Sequence, residues 1–336
     1  MLFKDSEVEN PFNGMLMEYL PDLDKDQAKK LADSARKGGE IPEFSLFEVW
    51  LQQRASFGTV MLDSMDYVTA LTHALRVAPN LAPTDYGTSR QRDLGQLWTD
   101  VARGFLGEIG FAKFMRERFG LDLVLDYSLG PIEEYLPSDI KAIKMPDGNL
   151  VEPGVKISFK TTKFSGIWLD IPGAQIGHSD VFVLIKLGIP REHFLAFLKW
   201  ISFIKDKLLP HAVESGAINQ TQAQDLWDSL PEFKKIPCYI CGFLDDRLIK
   251  SPPGPVFRAE HTRAGTLKGY LMQSYVGWVK DRKPELVPEE LRSANWRFES
   301  IGTFSAEEHF VANAGSLIFS DLEWKNLVKK LTKGKL

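Results

Sequence analysis

The sequence predicts an α/β architecture, and three stretches between residues 95 and 187 carry that expectation. Gly95 to Arg118 has apolar residues at helical spacing, Val155 to Lys160 alternates apolar and polar residues, and Asp180 to Leu187 is almost continuously apolar. These patterns describe an amphipathic helix, a half-buried strand, and a strand covered on both faces. The chain has 336 residues, 44% of them hydrophobic, which suffices for one elaborated domain or two.

Residues 1–90 read as a mainly helical N-terminal region. Asp24 to Arg36 is polar and charged, whereas Phe47 to Arg54 and Val60 to Val77 carry helical apolar spacing. Ala78-Pro79-Asn80-Leu81-Ala82-Pro83 breaks the pattern, and the polar stretch from Asp85 to Arg92 marks the boundary with a core over 91–336.

Asp93 is a candidate cap for the helix that opens this core. Trp98, Val101, Phe105, Ala112 and Met115 fall at spacings that mark its buried stripe, and Glu108 lies inside that stripe. A carboxylate there has to be paired or bound to a cation, because burying an isolated charge is very unfavourable. Arg103 or a lysine is the alternative partner. Gly104, Gly107 and Gly110 each disfavour a helix by about 1 kcal/mol relative to alanine, which makes sense if another backbone approaches closely.

Asp139-Ile140-Lys141-Ala142-Ile143 is a short, largely apolar strand after its first carboxylate. The turn formers Asp147-Gly148 and Pro153-Gly154 follow, and then Val155 to Lys160. The simplest reading is two antiparallel strands joined by a loop. Lys156, Ser158 and Lys160 then share a face, with Asp139 beside Ser158 and Lys160. A carboxylate and an ammonium at adjacent strand ends suit metal-assisted phosphodiester hydrolysis: the acid holds a hard divalent cation, and the lysine stabilises charge or orients water.

Pro137-Ser138-Asp139 followed by Ser158-Phe159-Lys160 resembles the PD-(D/E)XK nuclease signature, with Pro137 and Asp139 one residue further apart than the family's usual pair. The resemblance covers roughly residues 95–190. It implies a restriction-endonuclease-like core, a central mixed sheet flanked by helices, with magnesium as cofactor and double-stranded DNA as substrate. By the same resemblance Asp139 and Glu108 bind the metal and Lys160 places or activates the attacking water. Ser158 stands where the family's second acid is normally found. A Ser-X-Lys motif is similar to that of restriction enzymes reading sites with a CCGG core, in which a glutamate on a following helix replaces the missing acid. No glutamate lies between Thr161 and Ser179, so Asp170 and Gln175 are the nearest substitutes.

Beyond the core, Arg191 to Leu209 reads as one apolar helix, with Phe194, Phe197, Leu198, Ile201 and Ile204 facing inward. Thr221 to Leu230 is a second, short helix, and Pro237 to Leu244 a strand. The two cysteines, Cys238 and Cys241, fall in that strand. A CxxC can bind zinc or undergo redox chemistry, but no second ligand pair exists, so they read as small core residues. The loop that follows carries Arg258, Arg263 and Lys268, which with Lys163 are candidate DNA contacts; a merely solvated loop is the alternative. His178 and His261 belong to no recognisable nucleophile or metal constellation. The tail from Lys325 to Lys333 reads as a basic amphipathic helix that solvates a surface.

A formal charge of −4 argues against non-specific coating of nucleic acid, for which a strongly basic domain is expected. It leaves room for a site-specific enzyme with its basic groups gathered in a cleft, and Lys141, Lys144, Lys156, Lys160 and Lys163 form a local surplus. No membrane span or signal peptide is evident, so a cytoplasmic protein is expected. The resulting expectation is a magnesium-dependent type II restriction endonuclease. Cutting both strands favours a homodimer, with monomers acting in turn as the alternative. A catalytically silent DNA- or protein-binding module of the same fold and a structure-selective repair nuclease are the competing readings.

Overall fold

The computed structural model describes residues 11–35, 44–81, 93–127, 138–166, 168–172, 175–250, 276–279 and 309–334. The fold is α/β. Three short helices, α1 (Pro11–Tyr19), α2 (Lys25–Ala32) and α3 (Phe44–Trp50), precede β1 (Thr59–Leu62), α4 (Ser64–Leu81) and α5 (Leu94–Phe119). Then come β2 (Asp122–Leu125), β3 (Ile140–Lys144), β4 (Leu150–Val151), β5 (Ile157–Lys163), β6 (Trp168–Pro172) and β7 (Val181–Leu187). Helices α6 (His193–Trp200), α7 (Leu209–Glu214) and α8 (Gln220–Ser229) lead to β8 (Ile236–Asp245) and α9 (Asp246–Lys250). Strands β9 (Val276–Val279) and β10 (His309–Asn313) and helix α10 (Asp321–Leu331) complete the described chain.

The central sheet is mixed, in the order β1-β8-β7-β5: β5 runs parallel to β7, while β7–β8 and β8–β1 are antiparallel. Strand β7 is buried along its whole length, as its apolar run predicts. Its two faces feed two cores. Val181, Val183 and Ile185 pack with α4, α5 and α10, whereas Phe182 and Leu184 pack with α1–α3 and with β6 and β10. Lys186, also fully buried, donates to Ser34 Oγ and to the Phe164 carbonyl, tying the N-terminal helices to the sheet. In β8, Cys238 faces the first core and Cys241 the second; both thiols are free and buried, and burial pushes the Cys241 thiol up to about 11. Among the described residues no helix is long and apolar enough to cross a membrane.

Several elements depart from the sequence reading. The Asp93 side chain does cap α5, accepting from Gln96 N at 2.8 Å, and Gly120 ends the helix at φ 63°. The fully buried line is Ala102, Leu106, Ile109, Phe111, Phe114 and Met115 rather than Trp98, Val101, Phe105 and Ala112, which are only half-buried. Long side chains at the rim of a helix contact keep part of their surface in solvent even when their spacing is right. Val60 lies in a strand, β1, rather than in a helix, because β8 offers it a ladder of backbone hydrogen bonds. The single apolar helix expected from Arg191 to Leu209 breaks at Ser202, whose φ is +58°, and Ile201 is left 43% exposed. The tail helix does not merely solvate a surface: Trp324, Leu327 and Leu331 of α10 are buried in the first core.

Candidate active site

The expected two-stranded hairpin is replaced by a branching arrangement. Strand β3 pairs antiparallel with β2 on one side and with the short β4 on the other, while β5 leaves to join β7. The residues just before β3 still reach β5. Asp139 N donates to the Ile157 carbonyl at 2.9 Å, Ile157 N donates to Ser138 Oγ at 3.3 Å, and Phe159 N donates to Asp139 Oδ2 at 2.6 Å. Asp139 is therefore held on the backbone of the Ser158-Phe159-Lys160 segment, so the predicted juxtaposition exists although the hairpin does not.

Strand alternation distributes the side chains. Ile157 and Phe159 belong to the core on the α5 side, Phe159 lying 4.7 Å from the Phe111 ring, and Thr161 meets Gly107. Ser158 and Lys160 consequently point to the other side, where Lys160 Nζ donates to Gln175 Oε1. Gln175 lies just before β7; Asp170, on β6, is close enough to favour the charged form of Lys160. Lys163 is exposed at the end of β5 and, by the same alternation, on the face opposite Lys160.

Glu108 reaches the site from α5. The glycine beside it sets the distance: a Cβ on Gly107 would stand 2.1 Å from Thr161 Oγ1, and one on Gly110 would stand 2.2 Å from Cys238 Sγ. Side chains of the sheet make these approaches, rather than the backbone the sequence reading expected, and Gly104 has nothing within 4 Å. Arg103 bonds Asp100 at 2.8 Å, so it is not the partner of Glu108. Glu108 Oε2 is shielded from solvent with no hydrogen-bond partner.

The electrostatics set the acids against one another as well as against burial. Burial pushes the Glu108 carboxyl well above the usual carboxylate range, and the negative charges of Asp139 and Asp126 add to it. Burial also raises Asp139, to about 6, against the opposing pull of the Phe159 N–H and of Lys160, with Asp126 again adding to the rise. Burial lowers Lys160, and Asp139 and Asp170 partly restore it. Mutually repelling acids with a desolvated lysine are what functional sites assemble and stable cores avoid.

Asp126 was missed by the sequence reading. The available signal was the short apolar stretch Leu123-Val124-Leu125, the end of β2, followed by Asp126-Tyr127. Tyr127 stacks on His73, with ring centroids 3.7 Å apart, and Phe105 meets Tyr127 edge-on at 5.2 Å. This aromatic wall borders the acids, since Glu108 and Asp66 help burial to raise the Tyr127 hydroxyl.

A magnesium ion fits the chemistry of the donors, which are hard carboxylate oxygens with one buried oxygen, Glu108 Oε2, left over. Among the described residues, no three His, Cys, Asp or Glu side chains stand together at ligand spacing. Arg258, Arg263, Lys268 and His261 lie outside the described residues. Comparison with protein-family models, with curated proteins and with solved structures found no match to this chain.

Proposed function

We propose that this chain is a metal-dependent endonuclease that hydrolyses phosphodiester bonds of double-stranded DNA, site-specific in the manner of the PD-(D/E)XK restriction enzymes it resembles. The observation that carries the reading is the fixing of Asp139 to the Phe159 N–H, one residue from the half-buried Lys160. A magnesium ion held by Asp139 and Glu108 would polarise the scissile phosphate and stabilise the developing negative charge. Lys160 orients the attacking water, with Gln175 fixing its ammonium group. Ser158 adds no charge and leaves the negative count to acids outside the motif. Lys163, Arg258, Arg263 and Lys268 remain the proposed DNA contacts, a homodimer the proposed form for cutting both strands, and the cytoplasm the proposed compartment.

Incubating the purified protein with phage DNA and magnesium tests the proposal. Discrete fragments support the restriction reading, and a smear supports a nuclease of lower specificity such as a repair enzyme. Intact DNA that is nevertheless retarded in a gel supports the second reading, a catalytically silent binding module. Ser158 favours that second reading, because losing one acid weakens a metal site.

A further inference from the structure

The strand that precedes the motif carries an acid that the motif does not contain. Asp126 N donates to the Asp139 carbonyl at 2.9 Å, continuing the antiparallel register in which Leu125 faces Ile140. Asp126 and Asp139 are thus directly opposite each other, a relationship that holds two Cβ atoms about 5 Å apart on one face of a sheet. A register shift between Val124 and Leu125 creates this pairing; without it, Asp126 would oppose Ile140. Bulges next to functional sites re-aim side chains in this way.

Leu125 and Ile140 pack in the first core, so Asp126 and Asp139 share the other face of this strand pair, and both lie near enough to Glu108 for their charges to oppose its ionisation. Ser158 and Lys160 also point away from that core, behind Ile157 and Phe159. Like charges directly opposite in a ladder destabilise it, and burial sharpens the repulsion. The shielded, unpartnered Glu108 Oε2 is an independent sign that a positive group belongs here.

We infer that Asp126, rather than a residue downstream of Lys160, supplies the acidic ligand charge that Ser158 lacks: with Asp139 and Glu108, which do not stand at ligand spacing in this fold, it would close on a divalent cation. This rests on the metal-dependent reading proposed above and assigns a residue outside its motif. Two aspartates from neighbouring strands and a helix glutamate then neutralise one cation together, while Asp170 stays with Lys160.

Manganese binding, followed by titration calorimetry and by cation-induced thermal shift at pH 8, tests the assignment in the full chain. Asp126→Asn is expected to weaken manganese at least tenfold and to shrink the thermal shift. Asp122→Asn, which removes an exposed acid from the same strand, is expected to bind as wild type does. Wild-type manganese affinity in Asp126→Asn would overturn the assignment and leave the nuclease reading standing. A wild-type protein that binds neither manganese nor magnesium would overturn both.

Discussion

Asp139 Oδ2 accepts the backbone N–H of Phe159 at 2.6 Å, so the acid of one strand is fastened to the strand that carries Lys160. One carboxylate oxygen is committed to this backbone bond, which fixes the other relative to the lysine. Lys160→Ala is therefore expected to leave the acids in place. Cleavage should fall at least about a hundredfold while DNA retention in a gel changes little, because the lysine acts on the transition state more than on the ground state. Wild-type cleavage by this variant would remove Lys160 from the mechanism.

Glu108→Gln should separate charge from shape. The amide keeps the volume of the side chain and relieves a buried acid whose neighbours Asp139 and Asp126 both oppose its ionisation. Activity should drop at least tenfold, whereas the melting temperature in chelator at pH 8 should stay level or rise. A melting temperature several degrees lower would mean that Glu108 has a structural partner.

Stability should depend on pH in a definite sense. Asp139 titrates at about 6 in the fold against an ordinary value of 3.8, and Glu108 is raised as well. Both hold protons more tightly when folded, so their contribution is complete below about pH 4 and is lost as the pH rises through 6 and beyond. For Asp139 alone the loss is at most about 3 kcal/mol. Denaturant melts in chelator from pH 4 to pH 8 should show this decline, and Asp139→Asn should flatten it. Magnesium should raise the melting temperature at pH 8 and hardly at pH 5, since protonated carboxyls do not bind it. A magnesium effect independent of pH would contradict the site.

The glycines of α5 should respond in opposite directions. Gly107→Ala places a methyl 2.1 Å from Thr161 Oγ1, so α5 and β5 must separate. A loss of about 1–3 kcal/mol is expected, with reduced activity as Glu108 moves. Gly104→Ala meets nothing within 4 Å and should gain about 0.5–1 kcal/mol from helix propensity. Chemical denaturation of the two variants provides the comparison, and equal effects would show that α5 is not seated by Gly107.

The sequence carried the elements whose pattern is local. The Asp93 cap and Gly120 bound α5, and the apolar run of β7 announced burial on both faces. Asp139 and Lys160 drew attention through their motif and Glu108 through its place in an apolar stripe, and the fold brings Asp139 near enough to each of the other two to act on its charge. The sequence did not carry the branching of β3 away from β5, since turn residues such as Asp147 and Gly148 fit a hairpin with either partner. Asp126 was hidden for a related reason: its place opposite Asp139 depends on a one-residue register shift that no periodicity encodes. The break at Ser202 and the burial of Trp324 are likewise decided by tertiary neighbours and not by spacing.

Trp324 has one further consequence. Its ring lies among Phe111, Phe114, Phe243 and Phe319, at ring-centroid distances of 6.2, 5.1, 4.9 and 5.9 Å, so the middle of the first core waits for a helix near the end of the sequence. Arg54 adds a second late closure by bonding the carbonyls of Cys241, Gly315 and Leu317. During synthesis, α4, α5 and the strands around Asp139 leave the ribosome long before these partners exist. Contacts so distant in sequence slow folding, and partly built cores expose apolar surface meanwhile. The acids and Lys160 would therefore reach their final spacing only after α10, far downstream of them in the sequence, has been made and has docked.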